Sequence, residues 1–587
     1  MLARAAAIIV LGLIAYGSML PAPFRVMDDR ISIVENPAIK STKNIPAIFR
    51  EGYFHDQSYY RPLINLSFMG EYQAFGFNSF FYNLDNLILH ILNALLVVLL
   101  VSRLTNNGSI GFWTGLLFVM HPVQWEAVCN VPGRSILLSA FFVLSSFALF
   151  LEAYKHRRPI YLVLVLGTFF LGLLCKESTG MLPFVIMSFL ATDRASPWLQ
   201  KLKYLWPFLI GIIAYLSLRQ YFGITNVHQT GQAQVLVLGF VTFLRSVITD
   251  LRLFIFPVDL HYDRCLPLLF SFKQPMAWGT CLIWGGALGI FVFYYRKFTP
   301  FVLFLMAWFC IELFPVSQLI ASIGVGVGRI STADHFLYLA CIPVFIGLVM
   351  AFQRVYAINT SKTWVAPSLL KFMAGGFLLF LLLTAVEQSI YASNEFNMVK
   401  RSLAFEPDNP RIQGSMAILS VFRNDIPDAE KHFRAAIKAE PFNPTYHIGL
   451  GTALCQQGKW IEGMEQFVAF EPSDENKALV ERQEKMTMGH LRQQLDHGKS
   501  FDARGWLAIG IYYAKIGEQA KAIDSFHRTI DLNPGQTDAW FNLGSLYEAG
   551  QNWPEARMAY MHLLSLKDIS GFQRDFAQQH LAAIGKR

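Results

Sequence analysis

Charge is scarce in the first 392 residues of this 587-residue chain. Only about 11% of residues 1–392 are Asp, Glu, Lys or Arg, against about 24% of residues 393–587. Ordinary soluble domains carry about a quarter charged residues, so a soluble single-domain enzyme is excluded. The chain is still basic, at +8 overall, with +10 in the first part and −2 in the second. That excess lies among apolar runs rather than on a solvated patch, which excludes a nucleic-acid binder. Cysteine is sparse as well. The seven, at 129, 175, 265, 281, 310, 341 and 455, are odd in number and scattered, and form neither a metal spacing nor a disulfide framework. A Walker loop, a nucleophile elbow and an HExxH helix are all missing. The Gly-rich stretch Gly324-Val-Gly-Val-Gly-Arg329 lacks a preceding strand, so a dinucleotide fingerprint is rejected.

What the first part has instead is long apolar runs. Eleven lie at 5–20, 84–103, 109–122, 135–153, 159–175, 177–192, 204–222, 277–295, 299–319, 335–353 and 367–391. They approach the ~20 residues that a bilayer crossing needs. The first, preceded by Arg4, reads as an uncleaved anchor, with a cleaved signal peptide as the alternative. A twelfth candidate, 235–257, carries Arg245, Asp250 and Arg252. Three charges in a lipid-facing helix cost several kcal/mol, so it reads as re-entrant or interfacial. With the N-terminus inside, Lys155-His156-Arg157-Arg158, Arg194, Lys201, Lys203, Arg296-Lys297, Arg354 and Lys362 fall in cytoplasmic turns. Eleven spans then put the C-terminal part on the non-cytoplasmic side.

From about residue 400 a period of 34 emerges. Trp506, Gly510, Tyr513, Ala522 and Phe526 recur as Trp540, Gly544, Tyr547, Ala556 and Tyr560. Pro407, Ala429 and Phe433 recur as Pro441, Gly463 and Phe467. This is the tetratricopeptide (TPR) pattern: small residues let paired helices approach, and aromatics fill the groove between them. The expected architecture is all-α, a polytopic transmembrane helical bundle over residues 1–392 followed by a TPR α-solenoid over 393–587. The bundle carries a large outer loop at 21–83. About four repeats are expected, irregular at 473–500 and closed by a capping helix at 571–584. The solenoid reads as a groove for a peptide or protein, or as a spacer packed on the membrane part.

The outer-face loops concentrate chemistry. Charges beside membrane spans are costly and are function candidates for that reason. Asp28-Asp29 follow the first span. Such a carboxylate can serve as general base for an attacking hydroxyl, or be a solvated turn. Tyr82, Asn86, His90 and Asn93 fall on one helical face, lining a cavity or bonding neighbouring helices. His121, Glu126, Arg134, Lys176 and Glu177 lie near the outer boundary, and Arg329 precedes Asp334-His335. Arg and Lys suit a phosphate or pyrophosphate group. No cofactor is expected, although His121, Glu126 and Asp28 or Asp29 are residue types able to ligate a divalent cation.

The order of short motifs completes the reading. It runs Asp28-Asp29…Asn36-Pro37, then Tyr60-Arg61-Pro62-Leu63…Phe68, then Gly76-Phe77-Asn78…Tyr82…Asn86…His90…Asn93-Ala94. It continues with His121-Pro122…Glu126…Gly133-Arg134, Lys176-Glu177 and His335…Leu337-Tyr338-Leu339. With C-terminal TPR repeats, the chain resembles the GT-C class of membrane glycosyltransferases. It most resembles the transmembrane-plus-TPR (TMTC-type) O-mannosyltransferases and their bacterial relatives. An Arg usually stands where His335 precedes Leu-Tyr.

The resemblance implies an inverting transfer of a sugar from a polyprenyl-phosphate donor to an acceptor hydroxyl, on protein Ser/Thr or on a glycan. It implies Asp28 or Asp29 as base, and Arg61, Arg134, Lys176 or Arg329 on the departing phosphate, with His121, Glu126, Glu177 and His335 also at the substrate site. The acceptor is then held in the TPR groove. The membrane is a bacterial inner membrane, or that of the endoplasmic reticulum in a eukaryote. The competing readings are a non-catalytic TPR scaffold for envelope or glycan assembly, and a transporter. A transporter predicts internal hydropathy repeats and broken midplane helices, which the sequence does not show clearly.

Overall fold

The computed structural model of the chain describes residues 2–26, 28–53, 59–224, 233–319, 328–362, 366–470 and 474–585. Most of the Gly324–Arg329 loop lies outside them. The chain forms two compact units, 1–407 and 408–587. The boundary therefore falls later than the 392 expected from composition. Helix Glu395–Phe405 is polar enough to read as soluble, yet it is bonded into the first unit.

That unit is a helical bundle. Each of the eleven apolar runs contains one helix, from Leu2–Tyr16 to Pro367–Ala392. Among the described residues, six helices or helical stretches are long and apolar enough to cross a membrane: Leu2–Met19, Ser79–Thr105, Val131–His156, Pro275–Lys297, Asp334–Thr360 and Pro367–Ala392. Gly108–Met120, Pro159–Leu173 and Pro300–Val316 are apolar but shorter. The eleven-span count is therefore not matched by eleven membrane-length helices, because Pro and polar turns such as Lys176-Glu177 cut several runs short. The 235–257 segment forms helix Ala233–Leu253. Its Arg252 is paired with Asp259 at 2.7 Å, and Asp250 is buried. Among the described residues one two-stranded antiparallel sheet joins Cys265–Pro267 to Arg329–Ser331.

The polar stripe on helix Ser79–Thr105 is consumed by bonds between helices. His90 bridges the Tyr338 hydroxyl at 2.9 Å and the Val119 carbonyl at 3.1 Å. Asn93 donates to the Leu137 carbonyl at 2.9 Å, and Asn86 to the Asn130 carbonyl at 2.8 Å. Such bonds pin helix register where apolar contact alone does not.

The second unit pairs helices Pro410–Phe422 with Ile426–Ala439, and Pro444–Gln456 with Trp460–Val468. After helix Asp474–Asp496 the pairs are Ala503–Lys515 with Gln519–Leu532 and Thr537–Ala549 with Trp553–Ser565. Gly571–Ile584 ends the array, its Ser570 and Gln573 capping each other. The 34-residue period has a steric cause. A Cβ at Gly510 would stand 2.6 Å from the Phe526 ring, and one at Gly544 2.5 Å from the Tyr560 ring. Overpacking of this kind costs roughly 1–3 kcal/mol. Gly544→Val is expected to lower the thermal midpoint of the repeat unit, while a Val at Gly535, where a Cβ meets only Asn533 Oδ1 at an ordinary 3.5 Å, is expected to leave it unchanged. Calorimetry of the full chain checks both.

Candidate functional site

Five segments of the first unit carry the expected site residues. The chain after the first helix brings Asp28 and Asp29, the residue before helix Pro62–Phe75 brings Arg61, the turns at 121–134 and 176–177 bring five more, and 329–335 brings two. Asp28 and Asp29 are adjacent but differ in environment. Asp29 is 2% exposed. Its Oδ2 accepts from the Arg25 backbone N–H at 2.8 Å, while its Oδ1 has no protein partner among the described residues. Arg25 in turn donates to the carbonyls of Cys129 and Ala392, so this pair anchors the segment. Asp28 is only half-buried, and its Oδ2 accepts a short hydrogen bond from the Tyr262 hydroxyl.

Burial raises the Asp29 carboxyl from 3.8 to about 7, against the attraction of Arg25. Between these values the folded chain holds a proton that the unfolded chain has released. The associated stability is therefore fully present below about pH 4 and is lost as pH rises to about 7. Its upper bound is roughly 4 kcal/mol. The wild-type thermal midpoint is expected to fall across that window relative to Asp29→Asn, which unfolding scans at stepped pH will measure.

Arg61 ends the segment before helix Pro62–Phe75. Its Nη2 and Nε donate to Glu177 Oε2 at 2.8 and 3.1 Å, and its guanidinium lies over the Tyr59 ring at 4.4 Å. Lys176, next to Glu177, makes no side-chain hydrogen bond among the described residues. Burial, reinforced by Arg61, lowers its ammonium to about 7.

Glu126 is buried and paired. Its Oε1 meets His335 Nδ1 at 3.1 Å and its Oε2 accepts the His335 backbone N–H at 3.0 Å. Against the effect of burial, that imidazole holds the carboxyl below its ordinary range. His335 thus engages a buried acid through both its ring and its backbone N–H. His121 has both ring nitrogens committed: Nε2 to the Phe254 carbonyl at 3.1 Å, and Nδ1 accepting from Val123 N–H at 3.2 Å. It fastens one helix end to another segment.

Arg134 is wholly buried. It donates to Asn86 Oδ1 at 2.6 Å, Glu71 Oε1 at 2.9 Å and the Tyr82 carbonyl at 3.0 Å, and pairs with Asp85 at 3.1 Å. This geometry serves internal cross-linking rather than a departing phosphate. Arg329, in its short strand, donates to Cys265 Sγ at 3.4 Å. His121 and Glu126 spend their donor atoms elsewhere and do not converge with Asp28 or Asp29. Among the described residues no three of His, Cys, Asp or Glu come together as a metal ion would need.

Several participants were not among the sequence candidates. Arg264 meets Asp334 at 3.1 Å, and Asp334 also accepts from Trp125 Nε1 at 3.1 Å. Glu406 accepts from His261 Nε2 at 3.1 Å and Cys265 N–H at 2.8 Å. The mixed loop 259–264 held a signal in its clustered charge. Glu395 and Glu406 held none, since they fall where composition reads as soluble.

Fold and site together define a class: an all-α polytopic membrane protein carrying a TPR solenoid and a buried acid–base cluster. The comparisons agree with both parts. A tetratricopeptide-repeat family model matches residues 416–467 and 507–563. Over 89% of its length the chain is 21% identical to "Protein O-mannosyl-transferase TMTC3" of Mus musculus, covering 63% of that protein. It is 34% identical to TMTC2 of Mus musculus over 143 residues, 23% of this chain and 17% of that one. It is 30% identical to TMTC1 of Mus musculus over 203 residues, 31% of this chain and 21% of that one. The chain is similar to the TMTC-type protein O-mannosyl-transferases and spans about 63% of the length of TMTC3 of Mus musculus.

Proposed function

We propose that the chain is an integral-membrane glycosyltransferase. It moves a sugar from a polyprenyl-phosphate-linked donor to an acceptor hydroxyl, on protein Ser/Thr or on a glycan. One contrast in the cluster carries the reading. Glu126, Glu177, Arg61 and Arg134 are spent on one another or on other internal partners, whereas Asp28 Oδ1 and the Lys176 ammonium keep free bonding capacity among the described residues. A carboxylate and a cation each left with bonding capacity in the first unit suit a displacement that removes one proton and releases one phosphate.

In this reading Asp28 accepts the proton as the acceptor hydroxyl attacks the anomeric carbon. The bond to the departing phosphate breaks on the opposite face, inverting the centre. Lys176 meets the charge that grows on that phosphate, at a preorganised position. Arg61 orients Glu177, and Arg329 stands as a further cation. No step runs through a metal. The TPR solenoid holds the acceptor. The reading takes an odd number of crossings, with the N-terminus in the cytoplasm and the repeats on the periplasmic or lumenal side, in a bacterial inner membrane or an endoplasmic-reticulum membrane.

The test is transfer by purified full-length protein from a radiolabelled polyprenyl-phosphate sugar. Wild type is expected to consume donor. Lys176→Met is expected to raise the donor KM about tenfold or more, in line with loss of a charge-assisted contact. Wild-type donor affinity is expected to fall as pH rises through about 7, the value to which burial lowers Lys176, while Lys176→Met shows no such step. Absence of donor consumption would favour the scaffold reading.

A further inference from the structure

Tyr262 lies 234 positions from Asp28 in sequence, yet its hydroxyl donates to Asp28 Oδ2. The tyrosine is buried, and its own backbone is fastened. The Tyr262 N–H donates to Ser402 Oγ at 3.0 Å. Ser402 is itself oriented, donating to the Met398 carbonyl at 3.0 Å. Flanking residues are held by the same helix, Glu395–Phe405, and by the residue after it. Arg401 Nε donates to the Leu260 carbonyl at 3.1 Å, and the His261 ring stacks on Phe405 at 5.0 Å. Glu406 accepts from His261 and from Cys265, as described above. At its start the same helix holds the segment that leads into the acidic doublet, with Glu395 Oε2 accepting the Val26 N–H at 2.8 Å. One helix therefore grips the Asp28 segment from one side and the Tyr262 segment from the other.

We propose that Tyr262 is a positioning residue that fixes the Asp28 carboxylate, and that helix Glu395–Phe405 is the brace that keeps it there. The physical case is preorganisation. A half-buried carboxylate has two free side-chain torsions, and one bond from a buried, backbone-anchored phenol removes that freedom before substrate arrives. The phenol occupies Oδ2 and leaves Oδ1 for a substrate proton. Its catalytic consequence rests on the reading of Asp28 as the base. The fixing of the carboxylate does not.

Two readouts keep these apart. Full-length protein in lipid nanodiscs is treated at one fixed pH with a water-soluble carbodiimide and an amine, and modified carboxyl groups are located by mass spectrometry. In Tyr262→Phe, Asp28 labelling is expected to rise several-fold while Asp29 labelling stays at the wild-type rate. Ser402→Ala, which keeps the phenol but loosens its backbone, is expected to give a smaller rise and serves if Tyr262→Phe folds poorly. Asp28 labelling at the wild-type rate in both variants would overturn the proposal. With polyprenyl-phosphate sugar, Tyr262→Phe is expected to lower kcat about 10- to 100-fold, the scale of a hydrogen bond to a charged group, with donor KM within about twofold. Raised labelling with unchanged kcat would overturn the catalytic consequence. Raised labelling in a protein whose wild type transfers nothing would leave the positioning intact and remove the glycosyltransferase reading.

Discussion

Asp28→Asn is expected to reduce sugar transfer by about 10²- to 10⁴-fold, the usual worth of a general base, while leaving the fold unchanged. The neighbouring carboxylates explain the contrast. Asp29 is sealed against solvent and hydrogen-bonded to the Arg25 backbone, so it has no path to a substrate hydroxyl. Asp28 is half-buried, with one oxygen unpartnered among the described residues and the other held by Tyr262. An amide at 28 keeps shape and the Tyr262 contact but cannot take a proton. Transfer from labelled donor, with thermal midpoints recorded beside it, separates the two roles. Asp29→Asn is expected to retain transfer within an order of magnitude and to shift stability with pH instead. Equal loss in both variants, with unchanged midpoints, would move the base to the pair as a whole.

The second large effect falls on Arg134. Sequence alone places it among the phosphate-binding candidates, because it is a cation at the mouth of a span. The structure gives it three acceptors, Asn86, Glu71 and Tyr82, pairs it with Asp85, and sets its guanidinium 5.4 Å from the Phe68 ring centroid. Removing one member of a buried ionic network leaves the others uncompensated, at about 3–5 kcal/mol. Arg134→Met is therefore expected to collapse the yield of folded protein and the thermal midpoint, not to raise donor KM selectively. Arg134→Lys keeps the charge but loses the planar fork, and is expected to recover only part of the midpoint. Unfolding scans in detergent decide this. A stable Arg134→Met with raised KM would return the residue to the phosphate.

The legible and the illegible features separate by range. The apolar runs, the 34-residue period and the capping helix are local patterns, and each of the eleven runs contains a helix. The polar stripe at 82, 86, 90 and 93 was legible as a face, but its purpose was not. Whether a face bonds neighbours or lines a cavity depends on Tyr338 and Val119, which no periodicity places there. The types of Asp28, Glu126, Lys176 and Glu177 could be picked out because charge beside membrane spans is rare. Their pairings could not. His335 to Glu126 and Arg61 to Glu177 join residues 209 and 116 positions apart. Tyr262, one aromatic among many, offered no local signal. Helix Glu395–Phe405 misled by composition: its charged residues read as solvated surface, whereas Glu395, Arg401 and Ser402 turn inward to bond the first unit.

That helix also sets an order of events during synthesis. Asp28 leaves the ribosome early, but the groups that secure its surroundings, Tyr262, Ser402 and Glu406, emerge only after more than two hundred further residues. A nascent chain halted before residue 395 lacks the clasp on Val26 and on Tyr262, however well its earlier helices have inserted. The bonds that hold the Asp28 carboxylate are thus completed only when the membrane part is complete and the repeat unit is about to follow.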